Sequence, residues 1–203
     1  QFDEARKNLD QGLAAARDGN NAVQVASALD AEGDNLFYQG DYKGASADYQ
    51  QALQSVSKTS DRMVTLSTKV NIAKVAIKQG GAASSVNTLN SLSQDADTIG
   101  LKYLSVQCSV FLADALNETK NYPKAKQELD RALNRSEKLG MRVLLAQTQY
   151  LYGRNLQLSG NAGDAKSHFD DAKSVLSDIQ KEARTDTVLK RSDLSPIEQS
   201  AAK

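Results

Sequence analysis

Tryptophan is missing from the 203 residues, and cysteine, histidine and proline occur once, once and twice. A single thiol, Cys108, can form no internal disulfide and cannot anchor a thiolate zinc site; on an apolar helical face it reads as a small core residue. A single imidazole, His168, excludes a His-pair metal site and makes a nucleophile–His–acid triad a poor reading; beside Phe169 it is expected at the surface. With Pro123 and Pro196 the only prolines, long unbroken helices are open to the chain. Charge of one sign is also lacking. Lys and Arg number 25, as do Asp and Glu, so no general basic field draws a polyanion by counterion release, and nucleic acid is not an expected partner.

No apolar run approaches the roughly 18 residues of a membrane-crossing helix, so a membrane is not expected as a partner. No signal peptide is visible, which favours the cytoplasm. The sequence opens on Gln1 rather than Met, so it is expected to be a piece of a longer chain, with a further domain possible on its N-terminal side. No glycine loop of the phosphate-binding kind occurs. Adjacent acids such as Asp170 and Asp171 point apart on a helix and cannot act together as acid and base. The triplets beginning at Asn117 and Asn134 fit the glycosylation pattern but fall within expected helices and are read as chance. Neither catalytic residues nor a metal nor a cofactor is expected, and an enzyme is not the reading.

What is present is a period of 40 residues. Gly33, Ala73, Ala113 and Gly153 stand in one column, and Leu36, Ala76, Leu116 and Leu156 in a second. Ala45, Ser85, Ala125 and Ala165 follow, then Tyr49, Leu89, Leu129 and Phe169, then Ala52, Leu92, Ala132 and Ala172. Each column keeps its small or apolar character without an insertion, which marks an internal repeat.

Within a unit the spacing predicts a pair of helices. The first runs from about Asn21 to Gln39 and stops at Gly40, a residue suited to the left-handed position after a helix. Asp41, Asn121 and Asn161 stand where the second helix needs an N-cap. Pro123 falls in a first turn, where its missing N–H is harmless. Gly100 and Gly140 punctuate the passage to the next pair. Small residues mark close crossings: Gly33 or Ala113 is expected to face Ala45 or Ala125, with Tyr49, Leu89, Leu129 and Phe169 filling space between units.

This alternation resembles the tetratricopeptide repeat (TPR), in a variant with a 40-residue period. "GDNLFYQGDYKGASADYQQAL" and "GRNLQLSGNAGDAKSHFDDAK" carry its small–aromatic–small signature. The second unit departs most, with Ala82 where Tyr42 and Tyr122 stand. The resemblance implies an all-α, right-handed solenoid of antiparallel helix pairs over residues 1–190. Residues 1–19 would be the second helix of a truncated unit. Full units would span 20–59, 60–99, 100–139 and 140–179. A capping helix over 180–190 and a polar tail over 191–203 would close the chain.

The resemblance also implies a binding role, with a concave groove lined by one face of the first helices. The positions that would line it are Asp30, Asp34, Phe37 and Tyr38; Val70, Lys74, Ile77 and Lys78; Val110, Asp114, Asn117 and Glu118; and Tyr150, Arg154, Gln157 and Leu158. Phe37 and Tyr38 would suit a peptide anchor, or Phe37 would pack against a preceding unit. Asp30 and Asp34 occupy places where the chaperone adaptors of the family need Lys and Asn, so a chaperone tail is not the expected ligand. Two roles follow: a scaffold that takes a peptide or helix of a partner protein, or a regulatory arm of a larger bacterial signalling protein. Asp34, Lys74, Asp114 and Arg154 alternate in sign, one per first helix, and are expected to pair along the groove floor.

Overall fold

The computed structural model describes residues 2–200. Among the described residues there is no strand; there are ten α-helices and one 3-10 helix. They are α1 (Phe2–Asp18), α2 (Ala22–Gln39), α3 (Tyr42–Val56), α4 (Arg62–Lys78), α5 (Ala82–Thr98), α6 (Lys102–Glu118), α7 (Tyr122–Lys138), α8 (Arg142–Leu158), α9 (Ala162–Ala183) and α10 (Ser195–Glu198). The 3-10 helix covers Asp186–Lys190. The repeat spacing leads one to expect a single run over 1–190, whereas the helices gather into two compact units, residues 1–80 and 81–203. The division falls between α4 and α5, inside the stretch read as the unit 60–99.

Turn chemistry explains where most helices stop. Gly40 takes φ 86°, and the next N–H, of Asp41, returns to the Leu36 carbonyl at 3.0 Å. That places the chain for α3 while satisfying a carbonyl the helix leaves open. Gly80, Gly100, Gly140 and Gly160 take the same left-handed conformation. Lys120 holds it without being glycine, at φ 62°.

The caps are only partly as expected. Asp41 Oδ1 accepts from the Gly44 N–H at 2.9 Å, and Asn21 and Asp61 make the equivalent bond to Gln24 and Val64. Asn121 and Asn161 occupy the cap position but make no such bond. Pro123, at the start of α7, removes one of the donors such a cap serves. The Asn161 amide instead donates to Ser159 Oγ at 3.3 Å.

In the unit 1–80, Leu13, Ala26, Leu29, Ala52, Val56 and Val64 form one apolar cluster, and Phe37, Ala45, Tyr49 and Val75 another. In the unit 81–203, Val106, Val110, Ala113, Leu129, Leu144 and Leu151 are part of a third. Cys108 is fully buried there, as its setting in the sequence suggested. The helix crossings correct the expected pairing. A Cβ on Gly33 would lie 2.5 Å from Tyr49 Cε1, and one on Gly153 would lie 2.6 Å from Phe169 Cε1. The glycine therefore receives the aromatic ring of its own unit's second helix. The large residue fills the crossing itself, so the unit's biggest side chain requires its smallest.

The C-terminal expectation also changes. No separate helix covers 180–190: α9 continues to Ala183, Arg184 turns left-handed, and the 3-10 helix follows. Of the stretch expected as a polar tail, 191–203, the described part, residues 191–200, is not simply polar surface, because Leu194 and Ile197 are fully buried against Ala146, Ala172 and Leu176. Each such side chain contributes about 1.5–3 kcal/mol when removed from water, enough to hold the segment down.

Candidate functional site

On the first-helix faces of the unit 1–80, α2 and α4 bring Asp30, Asp34, Lys74 and Tyr38 together. Lys74 Nζ lies 2.6 Å from Asp34 Oδ1, and the Tyr49 hydroxyl donates to the same oxygen at 2.6 Å. The ammonium also sits 4.3 Å from the centre of the Phe37 ring and 5.2 Å from that of Tyr49. Aromatic faces attract a cation, most strongly where water is excluded. Lys74 is buried, its side chain 5% exposed, whereas Asp34 keeps 33%. Burial, then the charge of Asp34 and the bond to it, pushes the Tyr49 phenol well above its ordinary range, so it stays a donor.

One turn earlier, Thr68 Oγ1 donates to Asp30 Oδ2 at 2.6 Å. Burial pushes the Asp30 carboxyl up to about 6 against the opposing pull of that bond. Phe37, expected to line the groove, is 1% exposed and belongs to the core with Ala45, Tyr49 and Val75. Val70 and Ile77 are buried as well. Tyr38 is half-buried and Lys78 is exposed.

In the unit 81–203, α6 and α8 pair Arg154 with Asp114 at 3.4 Å and with Glu118 at 3.1 Å. Here the acid is the buried partner, Asp114 at 7% side-chain exposure against 30% for Arg154. Thus two pairs of the expected charge ladder are formed, one within each unit. Val110 is core. Asn117 is 2% exposed and bridges helices rather than meeting solvent: it accepts from Asn155 Nδ2 at 2.7 Å and donates to the Leu151 carbonyl at 3.4 Å. Tyr150 packs beside Phe169 with ring centres 5.9 Å apart. Gln157 is half-buried, while Glu118 and Leu158 are exposed.

A second kind of place escaped the sequence reading. Two second helices flank a first helix and leave a cleft over it. Between α7, α8 and α9 this cleft is filled: the Tyr152 hydroxyl donates to Asp130 Oδ1 at 2.6 Å, and its ring stacks on His168 at 4.2 Å between centres. Lys126 pairs with Asp130 at 3.1 Å. His168, expected at the surface, is half-buried and shares a hydrogen bond of 2.6 Å with Gln149 through Nδ1. Burial lowers its basicity, with the neighbouring Lys126 acting the same way and Asp171, Asp164 and Asp130 opposing. Between α1, α2 and α3 the corresponding cleft is open, with a volume of about 240 Å³, and Arg6, Asp10, Glu32, Asn35 and Asp48 line it.

Among the described residues no cluster of His, Cys, Asp and Glu has the geometry to hold a metal ion, and no helix is long and apolar enough to cross a membrane. No protein-family model and no curated protein matches the sequence. Among solved structures, the chain is similar to a Rap protein complexed with competence and sporulation factor, with a TM-score of 0.73 and 18% identity. The match covers 88% of this chain and 49% of that one, so the chain spans about half the length of its structural neighbour. At this identity the likeness speaks to architecture, and that architecture is the TPR-like, all-helical repeat.

Proposed function

We propose that the chain is a protein–protein interaction scaffold whose first-helix faces hold a peptide or helix of a partner. The observation that carries this reading is the pair of charge couples on those faces, Asp34–Lys74 and Asp114–Arg154. Each has one member buried by the fold and the other left partly open. The fold fixes the buried member and its partner in place, and the open member is free to meet a ligand without a search through rotamers. Beside them stand the half-buried rings of Tyr38 and Tyr150, side chains that combine apolar area with a hydroxyl. A structural neighbour solved with competence and sporulation factor bound adds support, since it shows the same architecture in a complex.

A partly neutralised face of this kind favours peptides of mixed charge or apolar character over strongly acidic or basic ones. The test is selection of peptides from a random library on the full chain, followed by fluorescence anisotropy. Selected peptides should compete with one another. They should lose at least about tenfold in affinity, some 1.4 kcal/mol, on Lys78→Glu, Arg154→Gln or Leu158→Ser, and should be indifferent to Lys124→Ala on an exposed position of α7. The reading fails if no peptide binds saturably, or if binding ignores all three face variants.

A further inference from the structure

Each compact unit shows how one first helix receives the next. In the unit 1–80, α4 runs beside α2: Val64 closes over Ala26, Ala52 and Val56, and ten residues later Lys74 pairs with Asp34. In the unit 81–203, α8 runs beside α6 in the same register. Leu144 packs with Val106 and Ala132, and ten residues later Arg154 pairs with Asp114. The arriving helix thus brings an apolar residue in its first turn and, ten residues on, a charge opposite to the one it meets.

Beyond α8 only the first half of this rule is met. Ala146 and Ala172 stand in the columns of Ala26 and Ala52, and with Leu176 they are closed by Leu194 and Ile197. Those two side chains are carried by a strap, residues 184–200, instead of a helix as long as α4 or α8. Its regular elements are the 3-10 helix, which has no buried residue, and the single turn of α10. Asp193 accepts from Gln147 at 2.8 Å, and the Ser200 carbonyl accepts from Lys173. Two fully buried side chains stand against the ordering of an irregular backbone, the balance found in segments that open locally. Further along α8, Arg154 keeps 30% of its side chain exposed and Leu158 is 45% exposed. Among the described residues, no ion pair joins Arg154 to the strap.

We propose that the seat on α8 and α9 receives an amphipathic helix of a partner protein, with the strap as its placeholder. The two arrivals inside the chain specify the occupant. It carries a Leu or Val in its first turn, to replace Leu194 over Ala146 and Ala172, and an Asp or Glu ten residues later, to meet Arg154. Packed helices stand about 8–10 Å apart, a separation that an arginine and a carboxylate span. The same register sets the residue four places after the apolar one beside Tyr150, as Thr68 stands beside Asp30. Apolar burial supplies most of the affinity, and the charge pair selects the partner. The inference does not rest on the peptide role proposed for the first-helix faces.

The test uses a dye-labelled synthetic peptide with the sequence of Arg142–Leu158, which has Leu144 at the apolar place and Arg154 at the charged one. Three versions are titrated against the full chain by fluorescence anisotropy: unchanged, with R154E, and with R154E and L144S together. The R154E peptide should bind saturably in the micromolar range, and the other two at least about tenfold more weakly. In the protein, Leu194→Ser loosens the strap and should tighten binding of the R154E peptide at least about threefold. A peptide held on the first-helix faces alone would be indifferent to that change. Arg154→Glu in the protein should reverse the preference toward the unchanged peptide, and it decides should Leu194→Ser not fold. Absence of saturable binding to the wild type and to Leu194→Ser overturns the proposal. So does a folded Leu194→Ser that binds no more tightly, or a charge preference that Arg154→Glu leaves unchanged. A dimer in analytical ultracentrifugation that the R154E peptide dissociates would assign the seat to a second copy and overturn it as well.

Discussion

The two charge couples stand at the same register yet are built in opposite senses. In the unit 1–80 the cation is interior and the anion faces out; in the unit 81–203 the anion is interior and the cation faces out. Lys74 can be interior because the rings of Phe37 and Tyr49 replace part of its lost hydration. Arg154 stays outward, where its fork reaches both Asp114 and Glu118. A column read as alternating signs therefore presents an acid to solvent in one unit and a base in the other. Which member is buried is decided by the side chains behind it rather than by the column.

The largest expected effect breaks that asymmetry at its tightest point. Asp34→Ala removes the carboxylate beside a buried ammonium and the acceptor of the buried Tyr49 hydroxyl, and should cost about 3 kcal/mol. Arg154→Ala withdraws a half-exposed cation and should cost only about 1 kcal/mol. Urea unfolding compares the two, and equal losses would show that the inverted burial has no energetic meaning.

Asp30 sharpens the contrast through pH. Its folded-state value of about 6 lies above the ordinary 3.8, so the folded chain binds the proton more tightly than the unfolded one. The contribution of Asp30 to stability is then full at low pH and falls as the pH rises from about 4 to about 6. Asp30→Asn keeps an acceptor for Thr68 without the charge. It should stabilise the chain at pH 7 by up to about 3 kcal/mol, with context expected to leave 1–2. The advantage should vanish below about pH 4. Thermal melts of both proteins across pH 4–8 check this, and a pH-independent difference would contradict it.

The two glycine crossings give a smaller, paired test. Gly33→Ala and Gly153→Ala each thrust a Cβ into a ring, at a cost of about 1–3 kcal/mol. The Tyr49 ring is tethered by its hydroxyl to Asp34, whereas Phe169 has no such tether and can retreat. Gly33→Ala should therefore be the worse of the two, by about 0.5–1 kcal/mol on the same scale. At the bottom of the range, Lys120→Gly relieves the left-handed residue that stands where Gly40 and Gly160 do, and should gain about 0.5–1 kcal/mol by melting temperature.

Much of this was legible in the sequence because a repeat states each rule several times. The helix pairs, the glycine turns and the crossings all follow from columns. The Gly33–Tyr49 partnership could have been read there too: glycine accompanies Tyr49 and Phe169, and alanine accompanies Leu89 and Leu129. Helix rotation was harder. One residue turns a helix by 100°, so Phe37, Val70, Ile77 and Asn117 fell on the interior side of a face drawn from register alone. The docking of Leu194 and Ile197 has no repeat column to announce it, and two apolar residues in a polar stretch carry no period.

Cys108 gives the chain a reporter that needs no engineering. It is the sole cysteine of the sequence, fully buried in α6, and burial pushes its thiol up to about 12. A thiol reagent must wait until α6 opens, because the thiolate is the reactive form and the folded chain offers almost none. Labelling kinetics at rising reagent concentration would thus separate the opening rate from the opening equilibrium of that helix under native conditions. A residue with no part in any site proposed for the chain becomes the clock by which the breathing of its repeats can be timed.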